Sequence, residues 1–199
     1  MPPGLVLYTG TMSSTFELNT VGAGKHSRGI ESLAHDAHER ALGMLARGDS
    51  RMAVLNHLVG AAEAIAGPGC VSSILVLDQE GLLRNGASPN LPSDYLDAID
   101  RLKPSPNLGT CAAAAATGEP VFTPDFCADA KWAELKHLPL ALGFTGAWSM
   151  PIKTAEGEIL GTLGTYYREK RQPGKAEFEA VRVLAAAAAL AIGQSRAAS

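Results

Sequence analysis

Two stretches of this chain each set a run of branched and apolar residues against a returning run across a tight turn, and that arrangement most limits its fold. In the first, Val71-Ser72-Ser73-Ile74-Leu75-Val76-Leu77 meets a turn at Asp78 to Gly81 and returns through Leu82-Leu83-Arg84-Asn85. In the second, Gly146 to Ile152 is followed by the turn Ala155-Glu156-Gly157-Glu158 and by Ile159 to Tyr167. Strands so close in sequence pair antiparallel, because a parallel pair needs a crossover of about a dozen residues or more.

Helical patterns flank these hairpins. Leu33, Ala37, Ala41, Met44 and Leu45 fall on one helix face, ended by Gly48. Asp49 or Ser50 caps a second helix with the stripe Leu55, Leu58, Val59, Ala62 and Ile65, stopped by Gly67-Pro68-Gly69. A last helix begins after Pro173 and buries Phe178, Val181, Leu184, Ala185, Ala188 and Ile192. Between the hairpins lies an excursion, with a short helix over Tyr95 to Leu102 and an extended link at Pro104 and Pro106. A second helix runs from near Thr110 to Gly118, an edge strand covers Glu119 to Thr123, and a third helix spans Trp132 to Leu142. The order predicts an α+β fold, not a doubly wound sheet. Residues 1–29 show no sustained periodicity and are expected to form an N-terminal extension or linker, with the domain itself over 30–196.

Composition excludes several classes. A chain of 199 residues with 46% hydrophobic content buries one substantial core. Its 17 Lys+Arg against 20 Asp+Glu form no basic stripe, so nucleic acid is not expected as a direct partner. The apolar stretch Val183 to Gly193 is too short for the roughly 20 residues of a membrane span. No basic segment precedes an apolar run at the N-terminus, so a cytoplasmic location is expected. The three cysteines Cys70, Cys111 and Cys127 do not make a disulfide scaffold. His35 and His38 share a helix face without a third ligand, and His137 stands alone; neither a metal nor a cofactor is expected.

Several motifs resemble those of a GAF domain: Leu91-Pro92-x-x-Tyr95, Leu108-Gly109-Thr110-Cys111, Thr117-Gly118-Glu119-Pro120-Val121, Trp132, Gly143-Phe144, Trp148-Ser149-Met150-Pro151-Ile152, Gly157-x-Ile159-Leu160-Gly161-Thr162 and Tyr166-Tyr167-Arg168-Glu169. The resemblance is to the subgroup found in bacterial sensor kinases and nitrate-sensing GAF proteins, and it covers Met44 to Ile192. It implies a central antiparallel sheet with the N- and C-terminal helices on one face and a helical roof over a ligand pocket on the other. It also implies a sensory module in two-component signalling rather than an enzyme. Such a module forms a homodimer through its terminal helices or acts on a sensor kinase or other effector in trans.

The stretch Leu108-Gly109-Thr110-Cys111-Ala112-Ala113 leads a glycine into an alanine-rich helix, whose first amides lack intrahelical partners and form an anion site. The alternative reading is that Thr110 simply caps the helix. With the resemblance, the expected ligand is a small oxyanion such as nitrate, in a cage of Leu108, Phe126, Trp132, Phe144 and Trp148. Which face Trp148 occupies is not legible, because both sheet faces are covered in this fold.

Cys111 at the helix start carries a second reading, a thiol-based redox sensor, with Cys127 as a candidate redox partner. GAF proteins that reduce free methionine sulfoxide have a cysteine here within a Gly-x-Cys-Gly motif, with partner cysteines upstream and downstream. This chain has Ala112 in place of the glycine and Arg101 at the upstream position, and Cys127 lies closer than that pattern requires. The reductase reading is therefore the weaker one.

Overall fold

A computed structural model describes residues 15–197, with side chains described from 27 to 194. The first fourteen residues of the expected extension lie outside the described residues. From Thr15 the chain is helical: α1 spans Thr15–Ala46, so it starts well ahead of Ile30, where the apolar stripe begins. Extending a formed helix costs far less than nucleating one, so apolar periodicity marks the packed part of a helix and not its full length.

The second helix, α2 (Arg51–Ala66), opens with the Ser50 hydroxyl accepting from the Ala53 amide at 3.2 Å and ends at Gly67. Then come β1 (Val71–Leu77) and β2 (Leu83–Ala87), the short helix α3 (Ser93–Ala98), the alanine helix α4 (Thr110–Thr117) and the edge strand β3 (Val121–Thr123). A 3-10 turn at Ala130–Trp132 and α5 (His137–Ala141) precede the long strands β4 (Gly146–Lys153) and β5 (Ile159–Tyr167), and α6 (Lys175–Ala197) closes the chain. The five strands form one antiparallel sheet in the order β2-β1-β5-β4-β3. The α+β architecture read from the two hairpins is the one observed.

Two helices are shorter than the sequence suggests. The chain after α3 turns at Arg101, whose φ is 62°, so that the Leu102 carbonyl accepts from the Leu83 amide at 2.9 Å. The continuous helix expected over Trp132 to Leu142 is instead the 3-10 turn and α5. Pro139 has no amide to give the Leu135 carbonyl, and its ring crowds that carbonyl in a helix interior, so it is accommodated only in a first turn, where α5 places it.

The sheet separates two cores. On one face α1, α2 and α6 cover Ile74, Val76, Trp148, Met150, Ile152 and Leu163. On the other face α3, α4 and the 126–144 segment cover Leu75, Ala147 and Tyr166. Successive strand residues point to opposite faces, which is why Ala147 and Trp148 belong to different cores. The alanines of α4 let its backbone lie close to β4 and β5, and Ala112 to Ala115 are all buried.

Candidate functional site

A narrow, partly open cavity of about 20 Å³ lies between the start of α4 and the roof. That is room for about one water molecule. The α4 side is formed by Leu108, Gly109, Thr110, Cys111 and Ala112, the roof by Trp132, Leu135 and Leu138, and the wall by Tyr95, Ile99 and Leu102. Leu75 and Tyr166 rise from β1 and β5 as its floor.

The helix start is built for this position. Gly109 is the N-cap with φ 55°, and no side chain caps the first turn, so Thr110 is the first helical residue and not the cap. The Gly109 amide donates to the Lys131 carbonyl at 2.8 Å, which ties the roof to α4. A Cβ added to Gly109 would lie 3.7–3.8 Å from Cζ2 and Cε2 of Trp132 and Cδ1 of Leu135. Glycine therefore supplies the left-handed turn and keeps the space between helix start and indole open. The first-turn amides that follow carry the positive end of the helix dipole.

Trp132 is 4% exposed, yet its Nε1–H has no hydrogen-bond partner. Buried indole N–H groups usually find one. Asp129 holds the turn that carries this residue: its carbonyl accepts from the Trp132 amide at 3.1 Å, and its carboxylate accepts from the Lys131 amide at 3.0 Å, the Lys131 ammonium at 2.7 Å and the Thr123 hydroxyl at 2.7 Å. Burial alone would raise the Asp129 pKa, but the Lys131 ammonium and the Thr123 hydroxyl outweigh it and hold it below the ordinary value. The indole is backed by Phe126, fully buried with ring centroids 4.3 Å apart.

At the floor the Tyr95 hydroxyl donates to the Tyr166 hydroxyl at 3.0 Å, with the rings edge to face. Burial pushes both phenols well up, so both stay neutral. Behind Tyr166 sits Phe144, its ring centroid 5.4 Å away and covered by the Arg168 guanidinium.

The expected ligand residues thus divide. Leu108, Gly109, Thr110, Cys111, Ala112 and Trp132 line the cavity. Ala113, Phe126 and Phe144 are buried behind its wall. Trp148 does not belong to the cage: it faces the terminal helices, within 6 Å of Phe122 and Phe178 by ring centroid. The cavity residues that sequence reasoning did not assign are Leu75, Tyr95, Ile99, Leu102, Leu135, Leu138 and Tyr166. Tyr95 and Tyr166 stand within the family motifs, which was the one available signal.

Cys111 is 6% exposed, its Sγ lies 3.1 Å from the Ser149 hydroxyl, and burial pushes its thiol pKa up. Burial outweighs the lowering effect of the hydroxyls of Ser149, Thr162 and Thr110, which disfavours the thiolate that the redox reading of Cys111 needs. Cys127 is exposed and not bonded to Cys111, and Cys70 is partly buried. Among the described residues no group of three or more His, Cys, Asp or Glu side chains is placed to hold a metal, and no helix is long and apolar enough to cross a membrane.

The sequence profile of the GAF domain family matches residues 49–193. The chain belongs to the GAF domain family. It is 34% identical over 163 residues to a methyl sulfide methyltransferase-associated sensor of Methanosarcina acetivorans, a match covering 81% of this chain and 16% of that protein. The GAF domain of a phosphoenolpyruvate-protein phosphotransferase from Coxiella burnetii superposes with a TM-score of 0.70 at 19% identity, covering 86% of this chain and 96% of that one. The free methionine-R-sulfoxide reductase of Neisseria meningitidis superposes with a TM-score of 0.65 at 15% identity, covering 87% and 93%. At these identities the two superpositions establish the fold alone.

Proposed function

We propose that this domain is a cytoplasmic small-molecule sensor whose cavity takes a small oxygen-bearing acceptor, with nitrate or a similar oxyanion the leading candidate. The observation that carries the reading is the unpartnered Trp132 indole N–H, buried in the cavity wall beside the uncapped start of α4. An anion leaves water only for a site that hydrogen-bonds it. An indole N–H and first-turn amides answer that need without a cationic side chain.

Nitrate is larger than the single water the cavity admits, so the roof opens to receive it and closes over it. The altered packing then reaches the terminal helices, which pair with a second copy or with a sensor kinase or other effector. The similarity to a sensor in Methanosarcina acetivorans supports a signalling role. The raised pKa and burial of Cys111 weigh against a thiol enzyme acting through that residue.

The test is thermal melting in nitrate and nitrite, with chloride at equal ionic strength as control. A ligand at about 100 times its dissociation constant adds about 2.7 kcal/mol. For a chain of this size the midpoint rises by roughly 5 to 10 °C. An equal midpoint in nitrate and chloride at saturating concentrations would overturn the nitrate reading.

A further inference from the structure

Two adjacent tyrosines in the central strand serve opposite faces of the sheet. Tyr166 points to the cavity, where its hydroxyl accepts from Tyr95 of α3 at 3.0 Å. Tyr167 points to the helices, where its hydroxyl donates to the Glu177 carboxylate in the first turn of α6 at 2.5 Å. From there the contacts continue: Arg171 donates to Glu177 at 2.8 Å and to the Ala66 carbonyl at the end of α2 at 2.8 Å, with its guanidinium 3.7 Å above the Tyr167 ring. Tyr95, Tyr166, Tyr167 and Glu177 are 4%, 3%, 0% and 6% exposed, so water does not interrupt the path.

We propose that the Tyr166–Tyr167 pair is the coupling element that carries the state of the cavity to the start of α6 and the end of α2. Its purpose rests on the sensor reading above; the coupling itself is a property of the unliganded fold. The strand at Tyr166 is paired on both sides, to Val71 of β1 and Ala147 of β4, and Tyr167 faces Gly146 of β4. A displacement of Tyr166 therefore passes along one peptide to Tyr167 rather than dissipating in a loop. At the far end Glu177 is a buried carboxylate, a group that tolerates little loss of hydrogen bonding. A weakened Tyr167 bond leaves it with Arg171 as its partner, and the first turn of α6 has to adjust. On the near side, any occupant that takes the Tyr95 hydroxyl or lifts α3 breaks the Tyr95–Tyr166 bond.

The experiment is a double-mutant cycle read by amide hydrogen exchange on the whole chain: wild type, Tyr95→Phe, Tyr167→Phe and the double variant. Loss of a phenolic hydroxyl keeps the ring packing, and Tyr166→Phe repeats the near-side arm should Tyr95→Phe fold poorly. The expected result is that Tyr95→Phe speeds exchange at residues 175–181 of α6 by about fivefold, although Tyr95 touches nothing there. In the Tyr167→Phe background the same substitution should add nothing at those amides, the non-additivity of coupled sites. An effect of Tyr95→Phe confined to the roof and the cavity face, or an equal increment in both backgrounds, would overturn the proposal. No nitrate enters this experiment, so a failed nitrate melt faults the ligand assignment and leaves the coupling result standing.

Discussion

The Cys111 sulfur occupies the space that a side chain at position 164 would need: a Cβ built on Gly164 would lie 2.9 Å from Sγ of Cys111 and 3.2 Å from Oγ of Ser149. The missing side chain on β5 is what lets the start of α4 settle onto the sheet, and with it the floor of the cavity.

Gly164→Ala is therefore expected to overpack this junction and to cost about 1–3 kcal/mol. Adding Cys111→Ala removes the sulfur in the way, and the double variant should recover most of that loss. Urea denaturation of the two single variants and the double variant measures it. Simple additivity would show that the clash lies elsewhere.

Trp132→Phe keeps an aromatic ring in the roof and deletes the orphaned N–H. The lost N–H has no partner in the unliganded fold, so the cost to stability is that of the smaller ring, about 1–3 kcal/mol. Nitrate-dependent stabilisation, in contrast, should fall to the chloride level. Melting curves of the variant in both salts decide it; a retained nitrate shift would remove the indole from the site.

Burial keeps the Cys111 thiol protonated, so it should stay unalkylated by iodoacetamide at neutral pH while exposed Cys127 is modified. Peptide mass spectrometry after timed labelling reads both. Cys111→Ser should preserve any nitrate response, because the Trp132 indole N–H and the backbone amides both remain. Rapid labelling of Cys111 would revive the redox reading.

Asp129 supplies a pH signature for the roof. Its folded pKa lies below the ordinary value of 3.8, so its contribution to stability is present above the unfolded pKa and is lost as pH falls through the folded one. Asp129→Asn should thus be less stable than wild type at pH 7, and the gap should close in strong acid. Urea midpoints across that range test the sign. A gap that is constant with pH would mean that the loss is one of geometry and not of charge.

Particular residues show what the sequence disclosed. The hairpins and α2 were legible because their signals are local: Ser50 caps α2 with its own hydroxyl, and Gly67 ends it. The face of Trp148 was not, since β4 is buried on both sides through Ile152 and offers no polar alternation to read. Trp132 was found from its motif, but its unpaired N–H is a fact of tertiary packing that no spacing announces. The continuous helix read over Trp132 to Leu142 breaks into a 3-10 turn and α5 because Pro139 and the Asp129 side-chain contacts, rather than an apolar stripe, set the course of the roof.

The size of the cavity has a consequence in time. On the proposed mechanism, a ligand larger than the one water the narrow cavity admits waits for the roof, and raising its concentration cannot speed entry beyond the rate of opening. The observed association rate should level off as ligand is added, with a ceiling set by a collective motion of microseconds to milliseconds or slower. A receptor of this kind averages over brief fluctuations in its surroundings and responds to what persists.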